Sequence, residues 1–196
     1  MSYLFQSGKN LGWEEARLSV LPTLVDEDKL PEVGMHTFHE SWINGLAIAY
    51  VIEQSPGKGR YVTHDDLGDW EVDSEMLHAE ALRNLRAHGG EQVLEGHRAP
   101  GYTLLLLANT DPFNAARLLL PELYAKLREH LGTTFYAAIP TRQFLLAFST
   151  SNDQILEKVR SQVRSDFSQA VDALSPKMFL VTPDGVAGDP TEAETL

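Results

Sequence analysis

The sequence predicts an α+β fold: a largely antiparallel or mixed sheet of about eight strands, with three principal helices packed against it. Three observations lead there. Strand-like apolar runs come in pairs, and each pair is followed by one helical stripe, unlike the single alternation of a doubly wound fold. The links Ser55-Pro56-Gly57-Lys58-Gly59 and Pro140-Thr141-Arg142-Gln143 are short and turn-like, so the strands they join form hairpins. At 196 residues, 43% hydrophobic and 22% charged, the chain suits one globular core. A single domain over residues 1–183 is expected, with 1–15 a loose lead-in and 184–196 a disordered acidic tail.

The elements follow in order. A short helix is expected at Trp13–Arg17. Leu18–Val25 reads as a strand, and Pro22, which has no N–H to donate, makes it an edge strand or two short pieces. Residues 26–41 are rich in Asp, Glu, Pro, Gly and His and read as a loop. Leu46–Ile52 is a strong strand, and Arg60–Thr63 returns from it. His64–Asp69 reads as a polar turn. Asp73 then caps a helix whose Leu77, Ala81 and Leu85 recur every fourth residue, ending at Gly89-Gly90.

Gln92–His97 is a short strand. Tyr102–Ala108 carries four consecutive leucines, apolar on both faces, as a central strand covered on two sides would be. Asp111-Pro112 reads as a helix start, with Asp at the cap and Pro at the first position. Its stripe runs from Phe113 to Leu127, interrupted by Pro121 with a kink or restart near Leu120, and Gly132 stops it. Thr134–Ile139 and Phe144–Ser149 form the second hairpin. Ser151 with Gln154 reads as a capping box, opening a helix to Leu174. Lys177–Thr182 is the last strand.

Composition narrows the function. With no cysteine, disulfides, thiolate metal sites and cysteine nucleophiles are excluded. Sixteen Lys and Arg oppose 28 Asp and Glu, a formal charge of −12. The bases are scattered, so neither nucleic acid nor an anionic membrane surface is an expected partner. The acidic balance reads first as solubility through mutual repulsion, and more sharply as a surface for a basic partner. No apolar run approaches the ~20 residues of a membrane span. Met1–Gln6 lacks a basic, then apolar, leader pattern, so no secretory signal is read there.

Specific chemistry is sparse. His36, His39, Glu40, His64, Asp65 and Asp66 are residue types that bind zinc or iron. They lie in an expected loop without a ligand-spacing motif, so no metal is expected. Neither a Gly-x-Ser-x-Gly elbow nor a P-loop is present, no catalytic residue is assigned, and no cofactor is expected.

Three stretches are family-like as a set. They are Asp69-Trp70 through Ala81-Leu82-Arg83-Asn84-Leu85, then Asp111-Pro112-Phe113-Asn114-Ala115-Ala116-Arg117-Leu118-Leu119, and Ala138-Ile139-Pro140-Thr141-Arg142-Gln143. In this order and spacing, from about Arg17 to Thr182, the chain resembles the YtpQ family of bacterial proteins of unknown function. That resemblance implies a cytoplasmic bacterial protein and supplies no reaction or catalytic residue.

Asn84, Asp111, Arg117 and Arg142 are the polar residues of these stretches suited to a ligand site. An arginine grips a carboxylate or phosphate through two parallel hydrogen bonds, so together they would make a pocket for a small anion. Their structural roles would be a helix cap for Asp111, a local ion pair for Arg117 and a loop contact for Asn84. The sequence points to a non-enzymatic binding or protein-interaction module. The alternative is a small hydrolase or transferase acting on an anionic metabolite through the arginine- and asparagine-lined pocket.

Overall fold

The structure, a computed structural model, describes residues 11–55, 58–107 and 109–189. The chain divides into two compact units, Met1–Gly90 and Glu91–Leu196. The fold is α+β, with ten strands in two wholly antiparallel sheets among the described residues. No helix among them is long and apolar enough to cross a membrane.

The first unit is built on β3 (Leu46–Ser55), the apolar run of the sequence. The proline-bearing β1 (Val20–Asp26) pairs along one side of it, Pro22 opposite Tyr50, and is an edge strand as expected. Two short strands share its other side: β2 (His39–Ser41) and β4 (Lys58–Tyr61), the latter the hairpin return. α4 (Ser74–Ala87) packs on β1 and buries Leu77, Ala81 and Leu85. On the opposite face Val25, Ala49, Val51 and Tyr61 pack with Leu30 and Val33 of α2 (Leu30–Val33). At the start of the unit α1 (Trp13–Ala16) sets Trp13 against Trp70, whose Nε1 donates to the Leu11 carbonyl.

Two expectations for this unit change. Residues 26–41 are not simply a loop, because they contain a 3₁₀ turn, α2 and β2. His64–Asp69 is not a turn but most of α3 (His64–Trp70). Thr63 accepts from the Asp66 N–H and Asp66 from the Thr63 N–H, a reciprocal cap with Asp where Glu or Gln is usual.

The second sheet runs β10, β9, β7, β8, β6, β5. These strands are β5 (Leu94–Ala99), β6 (Tyr102–Leu107), β7 (Phe135–Ala138), β8 (Leu146–Thr150), β9 (Met178–Thr182) and β10 (Gly185–Gly188). Leu104 and Leu106 of β6 pack with Leu156, Val159 and Val163 of α6 (Asp153–Gln169). Leu105, buried and pointing oppositely, lies on the face where α5 (Pro121–Leu131) stacks Tyr124 on Phe135. The leucine run is therefore covered on both sides.

Four expectations change here. The helix at Asp111 is a turn leading into a 3₁₀ segment, Ala115–Leu119, and the α-helix begins only at Pro121. The cap of α6 is Asn152 rather than Ser151, its side chain accepting from the Gln154 and Ile155 N–H groups. That helix ends at Gln169, and Leu174 lies in the segment after it, its N–H bonded to the Pro140 carbonyl. The expected acidic tail begins with structure, since β10 pairs with β9 and Asp189 is buried. Residues 190–196 of that tail lie outside the described residues.

Candidate functional site

The residues singled out from the sequence fall in both units, Asn84 in the first and Asp111, Arg117 and Arg142 in the second. Asn84 is on α4, where its amide nitrogen donates to the carbonyls of Arg17 and Val20, each at 2.9 Å. Both donors of that group are thereby occupied in tying the helix to the start of β1.

Asp111 and Arg117 meet. Arg117 is 1% exposed, and its Nη2 donates to Asp111 Oδ2 at 2.7 Å while its Nε donates to Asn114 Oδ1 at 3.3 Å. Asp111 Oδ1 also accepts from the Phe113 N–H, so the carboxylate both caps the turn and neutralises the arginine. Asn114, fully buried, donates to the carbonyls of Asn109 and Gln143, and the Ala115 N–H donates to the Arg142 carbonyl. These bonds fasten the 3₁₀ segment to the β7–β8 loop. Arg142, half-buried, contributes its backbone to that fastening.

The histidines of the expected loop separate. His39 and Glu40 are successive residues of β2 and so project to opposite faces. His39 Nδ1 contacts the Thr37 carbonyl, and the His64 ring meets Phe38 edge-on. Among the described residues no three His, Asp or Glu side chains gather as a metal-holding group.

A different constellation forms around Tyr50. This residue is fully buried in β3, and burial of a hydroxyl demands hydrogen-bond partners. Its Oη donates to Glu40 Oε2 at 2.9 Å and lies 2.8 Å from His78 Nδ1. Burial, with the Glu40 bond and charge in support, pushes the phenol far above its ordinary range. The hydroxyl therefore keeps its proton. The Phe38 ring stacks on Tyr50, and the His78 ring stands edge-on to it.

Glu40 and His78 also line an open pocket of about 300 Å³, together with Ser41, Ile48, Ser74 and Glu75. Glu75 and His78 stand one turn apart on α4, Glu40 and Ser41 are adjacent on β2, and Ile48 is on β3. The pocket is thus framed by elements of the first unit alone, with an apolar wall and a rim rich in acceptors. Asp66 belongs to a separate buried pair, gripped by Nη1 and Nη2 of Arg60 at 2.6 and 2.7 Å. Burial pushes its carboxyl up, but Arg60 and the Thr63 N–H and hydroxyl outweigh that and hold it below the ordinary aspartate value.

Sequence reasoning missed the Tyr50 constellation. One signal was present: a phenol in the otherwise aliphatic run Leu46–Ile52 must find a polar partner. Which partner it finds is set by strand pairing and by the helix above. No protein-family model, curated protein or solved structure matches this chain.

Proposed function

We propose that this chain is a non-enzymatic binding module of the bacterial cytoplasm that receives part of a protein partner in the pocket of its first unit. The observation that carries this reading is the acceptor-rich rim of Glu40, Glu75 and His78 around an apolar wall, Ile48. Such a pocket attracts a group that is cationic and rich in donors, and the −12 charge of the chain steers a basic partner towards it. The bacterial and cytoplasmic setting rests on the resemblance to the YtpQ family. The alternative, an enzyme acting on an anionic metabolite, has less to draw on. The Asn84 amide and the Arg117 guanidinium already hold carbonyl and carboxylate partners.

The test is a titration of isotope-labelled protein with tetralysine and with tetraglutamate, followed by amide chemical shifts. Binding of tetralysine but not tetraglutamate is expected. Preference for tetraglutamate, or the absence of any response to either, would overturn the basic-partner reading.

A further inference from the structure

The hydrogen-bond chain through Tyr50 determines what His78 presents to the pocket. A tyrosine hydroxyl carries one proton, and an ionised carboxylate can only accept. The Tyr50 proton therefore goes to Glu40 Oε2, at 2.9 Å. The contact between Tyr50 Oη and His78 Nδ1, at 2.8 Å, must then be made by a proton on the histidine. In the neutral ring this selects the Nδ1–H tautomer and leaves the lone pair on Nε2. Nε2 makes no hydrogen bond among the described residues, and neither does the Glu75 carboxylate. The residues lining the pocket thus retain His78 Nε2, the Glu75 carboxylate and the second oxygen of Glu40 as acceptors not used by Tyr50.

We infer, building on the binding-module reading above, that this pocket is a receptor for an alkylammonium group, the head of a lysine side chain. An ammonium carries three donors, which matches three acceptors drawn from β2 and α4. A guanidinium is a flat fork that prefers one carboxylate side-on, a different pattern. Ile48 supplies apolar surface for the methylene stem. The volume, about 300 Å³, lies at the small end of ligand sites, suited to one side chain rather than a large cofactor. The start of α4 contributes a positive end of about half a charge. Asp73 caps that end by accepting from the Met76 N–H, and Glu40 and Glu75 add two further negative charges, so the local field favours a cation. Tyr50 is a positioning residue: it touches no ligand but holds His78 in the accepting tautomer.

The experiment uses the full isotope-labelled chain and three probes: a blocked pentapeptide with one central lysine, the same peptide with that lysine acetylated, and n-butylamine. The lysine peptide is expected to shift the amides of Ser41, Ile48, Ser74 and Glu75. Acetylation removes the charge and is expected to weaken binding about tenfold or more. Glu75→Gln, an exposed change that leaves the fold intact, is expected to weaken it several-fold. Imidazole nitrogen shifts should show His78 protonated on Nδ1 and bare on Nε2, and Tyr50→Phe should mix the tautomers. Equal binding of the acetylated peptide, or tetralysine shifts confined to other residues, would overturn the ammonium site while leaving a binding module in place. No response to any cationic probe would overturn both. An Nε2–H tautomer in the unmodified protein would overturn the positioning role even if Tyr50→Phe failed to fold. Butylamine binding as strongly as the peptide would support ammonium recognition and identify a free amine, rather than a partner's lysine, as the source.

Discussion

Arg117 is the largest fully buried side chain among the described residues, and its partners decide its role. An arginine meant for a ligand keeps its fork open, whereas this one is enclosed by Asp111 and Asn114. Arg117→Ala strands a buried carboxylate and is expected to cost about 3–5 kcal/mol in a urea unfolding experiment. An unchanged midpoint would return Arg117 to the ligand-grip role. Asp66 leads to a pH prediction. Its carboxyl is held below the ordinary aspartate value of about 3.9, so the folded chain binds that proton less readily than the unfolded one. The stabilisation is complete above about 3.9 and is lost as pH falls through the depressed folded value. Asp66→Asn is therefore expected to lower stability at neutral pH and to flatten its decline on acidification. Parallel pH curves for the two proteins would refute this.

At the scale of elements, side-chain bonds to backbone carbonyls fasten helices to sheets. Asn84 ties α4 to the start of β1, across 67 and 64 residues of chain. Asn84→Ala should cost about 1–3 kcal/mol, because two carbonyls lose their donors. Retention of wild-type stability would show that water replaces the amide without loss. The hairpin of β3 and β4 has a separate constraint. A Cβ at Gly59 would collide with the Ile52 carbonyl oxygen, which is backbone and cannot swing aside. At Gly96 the closest neighbour, at 2.5 Å, is Leu105 Cδ2, the end of a flexible side chain. Gly59→Ala is thus expected to lower the melting temperature clearly more than Gly96→Ala, as differential scanning calorimetry would measure. The reverse order would mean that β4 shifts more readily than Leu105 repacks.

For the whole molecule, charge and division into units lead to two expectations. At −12 the chain should bind neither DNA nor RNA at physiological salt, because a net negative charge opposes approach to phosphates. A salt-dependent gel shift at micromolar protein would contradict this. Among the described residues every strand pairing lies within one unit, so each unit has its own sheet. A fragment ending at Gly90 is expected to keep the Tyr50 bonds and show a cooperative thermal transition by circular dichroism. A fragment without such a transition would show that the first unit needs the rest of the chain.

The sequence by itself determined the class of fold, the cap at Asp73, the interruption of the helical stripe near Leu120 and the stop at Gly132. Each of these depends on groups a few residues apart, where spacing and backbone chemistry are written directly in the chain. The cap at Thr63 was equally local but used Asp in place of Glu. Strand β10 was hidden by a composition of small and acidic residues that resembles a tail. Its pairing with β9, and the burial of Asp189 against Arg160 of α6, give it order. The candidate site lay further out of reach. Tyr50 meets Glu40 across 10 residues and His78 across 28, and these meetings require β2 to pair beside β3 and α4 to cover the sheet. Asn84, Arg117 and Arg142 stood out in the sequence because their chemistry suits a ligand. Tertiary structure assigned the Asn84 amide and the Arg117 guanidinium to carbonyls and a carboxylate within the fold, because a buried polar group must be satisfied wherever the topology places it.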